Sequence, residues 1–94
     1  MTSKVQKIVF DASFERKFTT YKENLSQKQL KKLREKIIIF KNNPFDPCLK
    51  THKLKGKLKD YWVFTISYSY RIIFRFLDKE RIFFIDIGDH SIYK

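Results

Sequence analysis

The sequence predicts an α+β domain with the element order β-α-α-β-β-β, in which two N-terminal helices pack on one face of a curved antiparallel sheet. Two segments of the first half carry apolar residues at helical spacing, and later segments alternate apolar with polar residues. The last three segments are separated by gaps too short for crossovers, which favours hairpins. With 94 residues, a hydrophobic fraction of 43% and ten phenylalanines, we expect residues 1–94 to form one domain.

The first half predicts a strand followed by two helices. Val5 to Phe10 is apolar and β-branched, as in strands. Asp11 is then a candidate helix N-cap, because aromatic residues follow it at helical spacing. Ser26 and Gln29 fit a capping box, which predicts a second helix over 27–41 that stops at Asn42-Asn43-Pro44. The two apolar stripes are Phe14, Phe18 and Tyr21, and Leu30, Leu33, Ile37 and Phe40.

The second half predicts a loop over 45–51 and then only strands. Residues 52–59, here called the lysine segment, alternate lysine with leucine or glycine. Read as a strand, the segment places its lysines on one face and Leu54, Gly56 and Leu58 on the other. Three further alternating runs follow, over 62–67, 70–76 and 83–88.

Charge narrows the class of partner. A formal net charge of +11 and a sequence pI near 9.9 predict an anionic partner, either nucleic acid or an acidic protein. No apolar run is long enough for a bilayer or a secretion signal, so we expect a cytoplasmic protein without membrane contact. With Cys48 alone and two histidines, no metal-ligand spacing occurs, and we expect neither metal nor cofactor.

Taken in order, these segments resemble the RelE/ParE superfamily of toxins, most closely the RelE/StbE and YafQ-like branch of ribosome-dependent mRNA interferases. The resemblance covers almost the whole chain. The segments that carry it are Asn42-Asn43-Pro44-Phe45, the lysine segment leading to Tyr61-Trp62, Tyr70-Arg71-Ile72-Ile73-Phe74, and Ile87-Gly88-Asp89-His90-Ser91-Ile92-Tyr93.

The resemblance implies a small toxin that enters the ribosome and cuts mRNA without a metal, and that a cognate antitoxin holds inactive. The antitoxin should be acidic and partly disordered alone, and it can form a hetero-oligomer with the toxin. The same scaffold also serves relatives that inhibit DNA gyrase without cutting RNA, so this activity is the alternative. An inactive relative that keeps only antitoxin binding is a third reading.

His90 is the first candidate for general acid or base, because imidazole alone has an unperturbed pKa near neutrality. Asp86 falls on the same face of an extended strand and could orient it. Arg71 alternates with Tyr70 and Ile72, so it projects from the opposite face, where its guanidinium could clamp a phosphate. The resemblance favours these roles over a surface histidine and a solvated arginine.

The remaining candidates bind RNA or complete the site. Lys53, Lys55, Lys57, Lys59 and Arg75 are candidates for the phosphate backbone, although a lysine-rich edge strand also blocks aggregation.

His52 resembles an active-site histidine of the YafQ-like branch, but strict alternation places it on the side of Leu54, and packing or capping is an equal alternative. Tyr93 could stack on a base or position the attacking hydroxyl, and a core or interface role is equally open.

Overall fold

The computed structural model describes residues 4–89 and 92. Two short 3-10 turns, Pro47–Leu49 and Gly56–Leu58, flank the second strand. The predicted α+β class is confirmed, as is the order of one strand, two helices and then strands, but four strands follow the helices where the order β-α-α-β-β-β has three. The elements are β1 (Lys7–Phe10), α1 (Ala12–Glu23), α2 (Gln27–Asn42), β2 (His52–Lys53), β3 (Trp62–Thr65), β4 (Arg71–Phe76) and β5 (Arg81–Gly88).

Both helices begin at the caps that the sequence predicts. The Asp11 carboxylate accepts hydrogen bonds from the backbone N–H of Ser13 at 2.9 Å and from its hydroxyl at 2.7 Å. At the start of α2, Ser26 and Gln29 form the complete capping box, with bonds of 2.9 and 3.2 Å. These bonds satisfy N–H groups that have no partner within the helix.

The five strands form one open sheet in the order β1-β5-β4-β3-β2. Strands β2 to β5 pair antiparallel as expected, but β1 pairs parallel to β5, with Lys7 opposite Arg81. The expectation of a purely antiparallel sheet is therefore wrong. The physical reason is that two helices and three strands lie between β1 and β5, so no hairpin constrains their relative direction.

The main core lies between the helices and one face of the sheet, so both helices pack on the same face as predicted. Phe40 of α2 is fully buried, and its ring centroid lies 4.3 Å from that of Phe64 and 5.0 Å from that of Phe74. Phe14 of α1 packs against Phe84 at 5.5 Å. No helix of the described residues is both long and apolar enough to cross a bilayer.

The opposite side of the sheet, here called the open face, carries a second and smaller apolar cluster. Val63 and Ile73 of this cluster are buried by Leu54, with Leu58 and Tyr61 packed around them. The lysine segment therefore folds over the open face and is anchored by its leucines.

A single strand over 52–59 is not observed, and that expectation is wrong. Strand β2 ends at Lys53, and Gly56 takes a φ of 70° that starts a 3-10 turn. A positive φ takes the backbone out of the extended conformation, and glycine tolerates it without steric cost. The in-and-out pattern of leucine and lysine persists without the strand, because Leu54 and Leu58 both reach the same cluster.

Candidate nucleic-acid interface

Arg71 is the first residue of β4, which is the central strand of the sheet. It lies opposite Thr65 of β3 and Gly88 of β5. Residues two apart on a strand share a face, and Ile73 belongs to the open-face cluster, so Arg71 projects from the open face as its alternation predicts. The side chain is partly buried.

Arg71 lines a cleft of about 720 Å³ at the end of β3 and the start of β4, here called the arginine cleft. Its lining combines cations with hydroxyl groups and one carboxylate. Guanidinium, ammonium and hydroxyl groups are donors for phosphate oxygens. The polar lining residues are Lys36, Lys50, Thr65, Ser67, Ser69, Arg71 and Asp89, and Cys48 and Tyr68 complete the wall.

Hydrogen bonds between side chains and backbone fix the loop that forms one wall of this cleft. The Thr65 hydroxyl donates to the carbonyl of Leu49 at 3.1 Å, and the Lys36 ammonium donates to the carbonyl of Cys48 at 2.9 Å. Lys50 has a φ of 53°, in the left-handed region, which turns the chain from the loop towards β2. The sequence gives no signal for Lys50, because its role depends on this loop conformation.

Cys48 belongs to the loop wall of this cleft. Loss of hydration raises its pKa above the usual value, so the thiol stays protonated near neutral pH. The backbone N–H of Cys48 donates to the carboxylate of Asp46 at 3.0 Å, and this bond lowers the pKa of Asp46. Cys48 is therefore a loop residue, as the sequence predicts.

The turn between β3 and β4 forms the other wall. The backbone N–H of Ile66 donates to the carbonyl of Tyr70 at 3.0 Å, and the N–H of Tyr70 donates to the Ser67 hydroxyl at 3.2 Å. The ring of Tyr70 stacks on Tyr21 of α1, with centroids 4.6 Å apart. The turn is thus tied to the helix layer, and Tyr68 is at its tip.

His52 lies on the open face as well. It is opposite Val63 in the ladder between β2 and β3, and its Nδ1 lies 2.9 Å from the carbonyl oxygen of Lys50. Alternation places His52 on the same side as Leu54, and Arg71 projects from this side too. From strand spacing, the Cα atoms of His52 and Arg71 are about 12 Å apart.

The basic residues of the lysine segment do not form one row. Lys53 lies opposite Trp62, whose ring packs with the helix-side core, whereas the other three lysines belong to the turn that covers the open face. All four are exposed. Arg75 is exposed and lies four residues after Arg71 on the same face, about 13 Å along the strand.

Asp86, which the sequence suggests could orient His90, is bonded to α1 and to the backbone of its own strand. Its Oδ1 accepts a hydrogen bond from the Lys17 ammonium of α1 at 2.8 Å and another from the N–H of Ile87 at 2.9 Å. A bulge at Ile85 interrupts the alternation of β5 just before Asp86. His90 and Tyr93 lie outside the described residues, although Asp89, which precedes His90 in the sequence, lines the arginine cleft.

The structure adds Lys50, Thr65 and Ser67 to the predicted site residues. Thr65 could have been found because it falls on the same face of its strand as Val63, whereas the other two depend on loop and turn geometry. Among residues 4–89 and 92, no group of three or more histidine, cysteine or acidic side chains is arranged to hold a metal ion.

Comparison with known proteins places the chain in a family of toxins. A family model described as the ParE toxin of type II toxin-antitoxin systems, parDE, matches residues 8–92. No curated protein sequence matches the chain.

Three solved structures share the fold. A YoeB/ParE toxin from Agrobacterium tumefaciens is 23% identical, with a TM-score of 0.73 over 90% of this chain and 99% of that one. YafQ from E. coli is 20% identical, with a TM-score of 0.67 over 93% and 97% of the two chains. A YoeB-YefM complex from Staphylococcus aureus is 21% identical, with a TM-score of 0.68 over 94% and 99%.

Proposed function

Because the chain belongs to the ParE toxin family of type II toxin-antitoxin systems, within the RelE/ParE superfamily, we propose that it is an mRNA interferase, a metal-independent endoribonuclease that cuts mRNA on the ribosome and stops translation. The observation that carries this proposal is the arginine cleft. It brings Arg71, Lys50 and several hydroxyl groups together at the end of β3 and the start of β4. The fold shared with YoeB and YafQ supports it.

The proposed reaction is an internal transphosphorylation. A general base takes the proton from a ribose 2′-hydroxyl, and the 2′-oxygen attacks the adjacent phosphorus. The bond from phosphorus to the 5′-oxygen breaks, and a general acid donates a proton to that oxygen. The products are a 2′,3′-cyclic phosphate and a 5′-hydroxyl end, so no water is consumed.

Arg71 is assigned to the phosphate, where its guanidinium stabilises the extra negative charge of the transition state. His90 is assigned as acid or base, since it directly follows Asp89 of the arginine cleft in the sequence. His52, on the same face, is the second acid-base candidate, and Tyr93 is assigned to a base or to the attacking hydroxyl.

The exposed cations are assigned to the RNA backbone, because charges near the surface attract phosphates without selecting a sequence. These residues are Lys53, Lys55, Lys57, Lys59 and Arg75.

A cognate antitoxin is the proposed protein partner. The YoeB relative from Staphylococcus aureus was solved together with YefM, which supports a toxin-antitoxin complex for this chain. The net charge of +11 favours an acidic binding segment in the antitoxin. We expect the toxin to act in the cytoplasm, where ribosomes and mRNA are found.

Inhibition of DNA gyrase is the second candidate function. One observation favours it: the matching family model is described as the ParE toxin. A toxin of this kind would block DNA supercoiling and leave mRNA intact, and its activity would not need His90.

Primer extension on a defined mRNA, with and without translating ribosomes, tests the proposal. The wild-type protein should create new 5′ ends only with ribosomes, and Arg71→Ala and His90→Ala should abolish them. Arg34→Ala is the matched control, because it removes the same charge from exposed α2 surface outside the cleft. Uncut mRNA together with blocked supercoiling by the same preparation would replace the interferase with the gyrase inhibitor.

A further inference from the structure

The tip of the turn between β3 and β4 carries an aromatic side chain that takes no part in the fold. Tyr68 is 101% exposed, whereas Tyr70, two residues later, stacks on α1. Within residues 4–89 and 92, the Tyr68 hydroxyl has no hydrogen-bond partner and its ring contacts no other ring. Its contribution to stability is therefore small, and the ring is available to a ligand.

The turn that presents this ring is held in place by several contacts. Ser67 accepts a hydrogen bond from the N–H of Tyr70 at 3.2 Å and lies 3.5 Å from the Tyr21 hydroxyl. The carbonyl of Tyr70 accepts the N–H of Ile66 across the turn. An exposed ring on a fixed turn loses little conformational entropy on binding.

Tyr68 also lies beside the cations of the site. It lines the arginine cleft together with Arg71, Lys36 and Lys50. Three residues span at most about 10 Å, so the ring is within a few nucleotides of a phosphate held by Arg71. Proteins that bind single-stranded RNA commonly place aromatic rings, on which bases stack, beside cations that bind the phosphate backbone.

We propose that Tyr68 forms a base-stacking subsite for single-stranded RNA at the rim of the arginine cleft. This inference rests on the proposed function for the identity of the ligand. The ring stacks on the face of an unpaired base near the nucleotide whose phosphate Arg71 holds. Stacking uses the face that every base presents, so the subsite adds affinity without reading a particular base.

Binding to a short 2′-O-methyl RNA strand, followed by fluorescence anisotropy, tests the subsite separately from cleavage, because the blocked 2′-oxygen cannot attack. A strand of the same length with abasic sugars keeps the phosphates and removes the bases. The wild-type protein should bind the intact strand roughly 5- to 100-fold more tightly than the abasic one.

Tyr68→Ala should lose most of this difference and keep its affinity for the abasic strand, whereas Tyr68→Trp should retain the difference. Thr19→Ala, which alters an exposed residue of α1 outside the arginine cleft, should behave as wild type. Equal affinity of wild type and Tyr68→Ala for the intact strand would overturn the subsite, as would a wild type that does not distinguish the two strands.

The proposed function is judged independently by mRNA cutting. Cutting by the wild type without a Tyr68 effect on binding would remove only the subsite. A Tyr68 effect on binding without any cutting would leave the subsite in a protein that binds RNA but does not cleave it.

Discussion

The Lys17 ammonium donates a hydrogen bond to Asp86 Oδ1 at 2.8 Å and joins α1 to β5 across 69 residues of sequence. The pair tethers the helix layer to the end of the strand that leads to Asp89 and the arginine cleft. Both side chains retain contact with solvent, at 54% and 27% exposure. Asp86 therefore forms a partly exposed ion pair with Lys17 of α1.

Asp86→Asn should leave mRNA cutting within about threefold of wild type, because Asp86 is bonded to Lys17. The loss of stability should stay below about 1 kcal/mol, as for partly exposed ion pairs. Primer extension and urea unfolding measure the two effects, with Lys17→Met as the partner variant. Loss of cutting in Asp86→Asn alone, with Lys17→Met active, would show that Asp86 acts on the reaction.

Gly88→Ala should destabilise the protein by about 1–3 kcal/mol, because a Cβ at this position would overlap Cγ2 of Ile92. Thermal unfolding measures the loss. Gly88→Ala combined with Ile92→Leu should recover most of it, since leucine has no methyl group on Cβ.

Gly56→Ala is the contrast, because the space around Gly56 is empty but its φ of 70° strains any other residue. Its cost of about 1–2 kcal/mol should not respond to Ile92→Leu. Unchanged stability of Gly88→Ala would show that Ile92 moves away freely.

Lys55→Gln with Lys57→Gln should reduce the salt dependence of single-stranded RNA binding. Each phosphate contact contributes about 0.7 to the slope of log K against log salt, so the slope should fall by about 1.4. Lys28→Gln with Lys31→Gln removes the same charge from α2 and should change the slope less. Equal changes in the two pairs would mean that net charge, and not the lysine segment, attracts the RNA.

Acid should destabilise the fold by protonating three carboxylates that accept hydrogen bonds in the folded protein. Hydrogen bonds from Ser13 to Asp11, from Cys48 to Asp46 and from Arg81 to Asp78 lower the pKa values of these groups below the reference of 3.8. Each contribution is therefore present above the unfolded pKa and is lost as the pH falls through the lower folded pKa.

Urea unfolding from about pH 6 to about pH 3 measures this loss. Substitution of the three aspartates by asparagine keeps the acceptors but removes the titration, so the triple variant should lose less stability than wild type over that range. An identical acid slope in both proteins would assign the effect to other carboxyl groups.

The helices could be predicted closely from the sequence because their signals are local. Asp11 and the pair Ser26 and Gln29 act within three residues, and the apolar stripe of α2 needs only helical spacing. The partner of β1 could not be predicted, since its register with Arg81 and the residues beyond depends on how the whole sheet assembles.

In the candidate site too, the positions set by local strand alternation could be predicted, and those set by loop conformation could not. Arg71 lies on the face that its alternation predicts, because β4 is regular over its length. Lys50 could not be predicted, since its place in the site depends on its own left-handed backbone conformation in a loop. Alternation also cannot distinguish a long strand from a turn that keeps Leu54 and Leu58 inward, and this explains the error over 54–59.

The position of β5 has a consequence for how the protein is made. It is the last of the five strands to leave the ribosome, yet it lies between β1 and β4. Until β5 has emerged, β1 has no neighbour in the sheet and the aromatic core around Phe84 stays open. Pairing between distant segments is slow compared with helix formation. Each nascent chain therefore lacks the completed sheet until the segment that forms β5 has been synthesised.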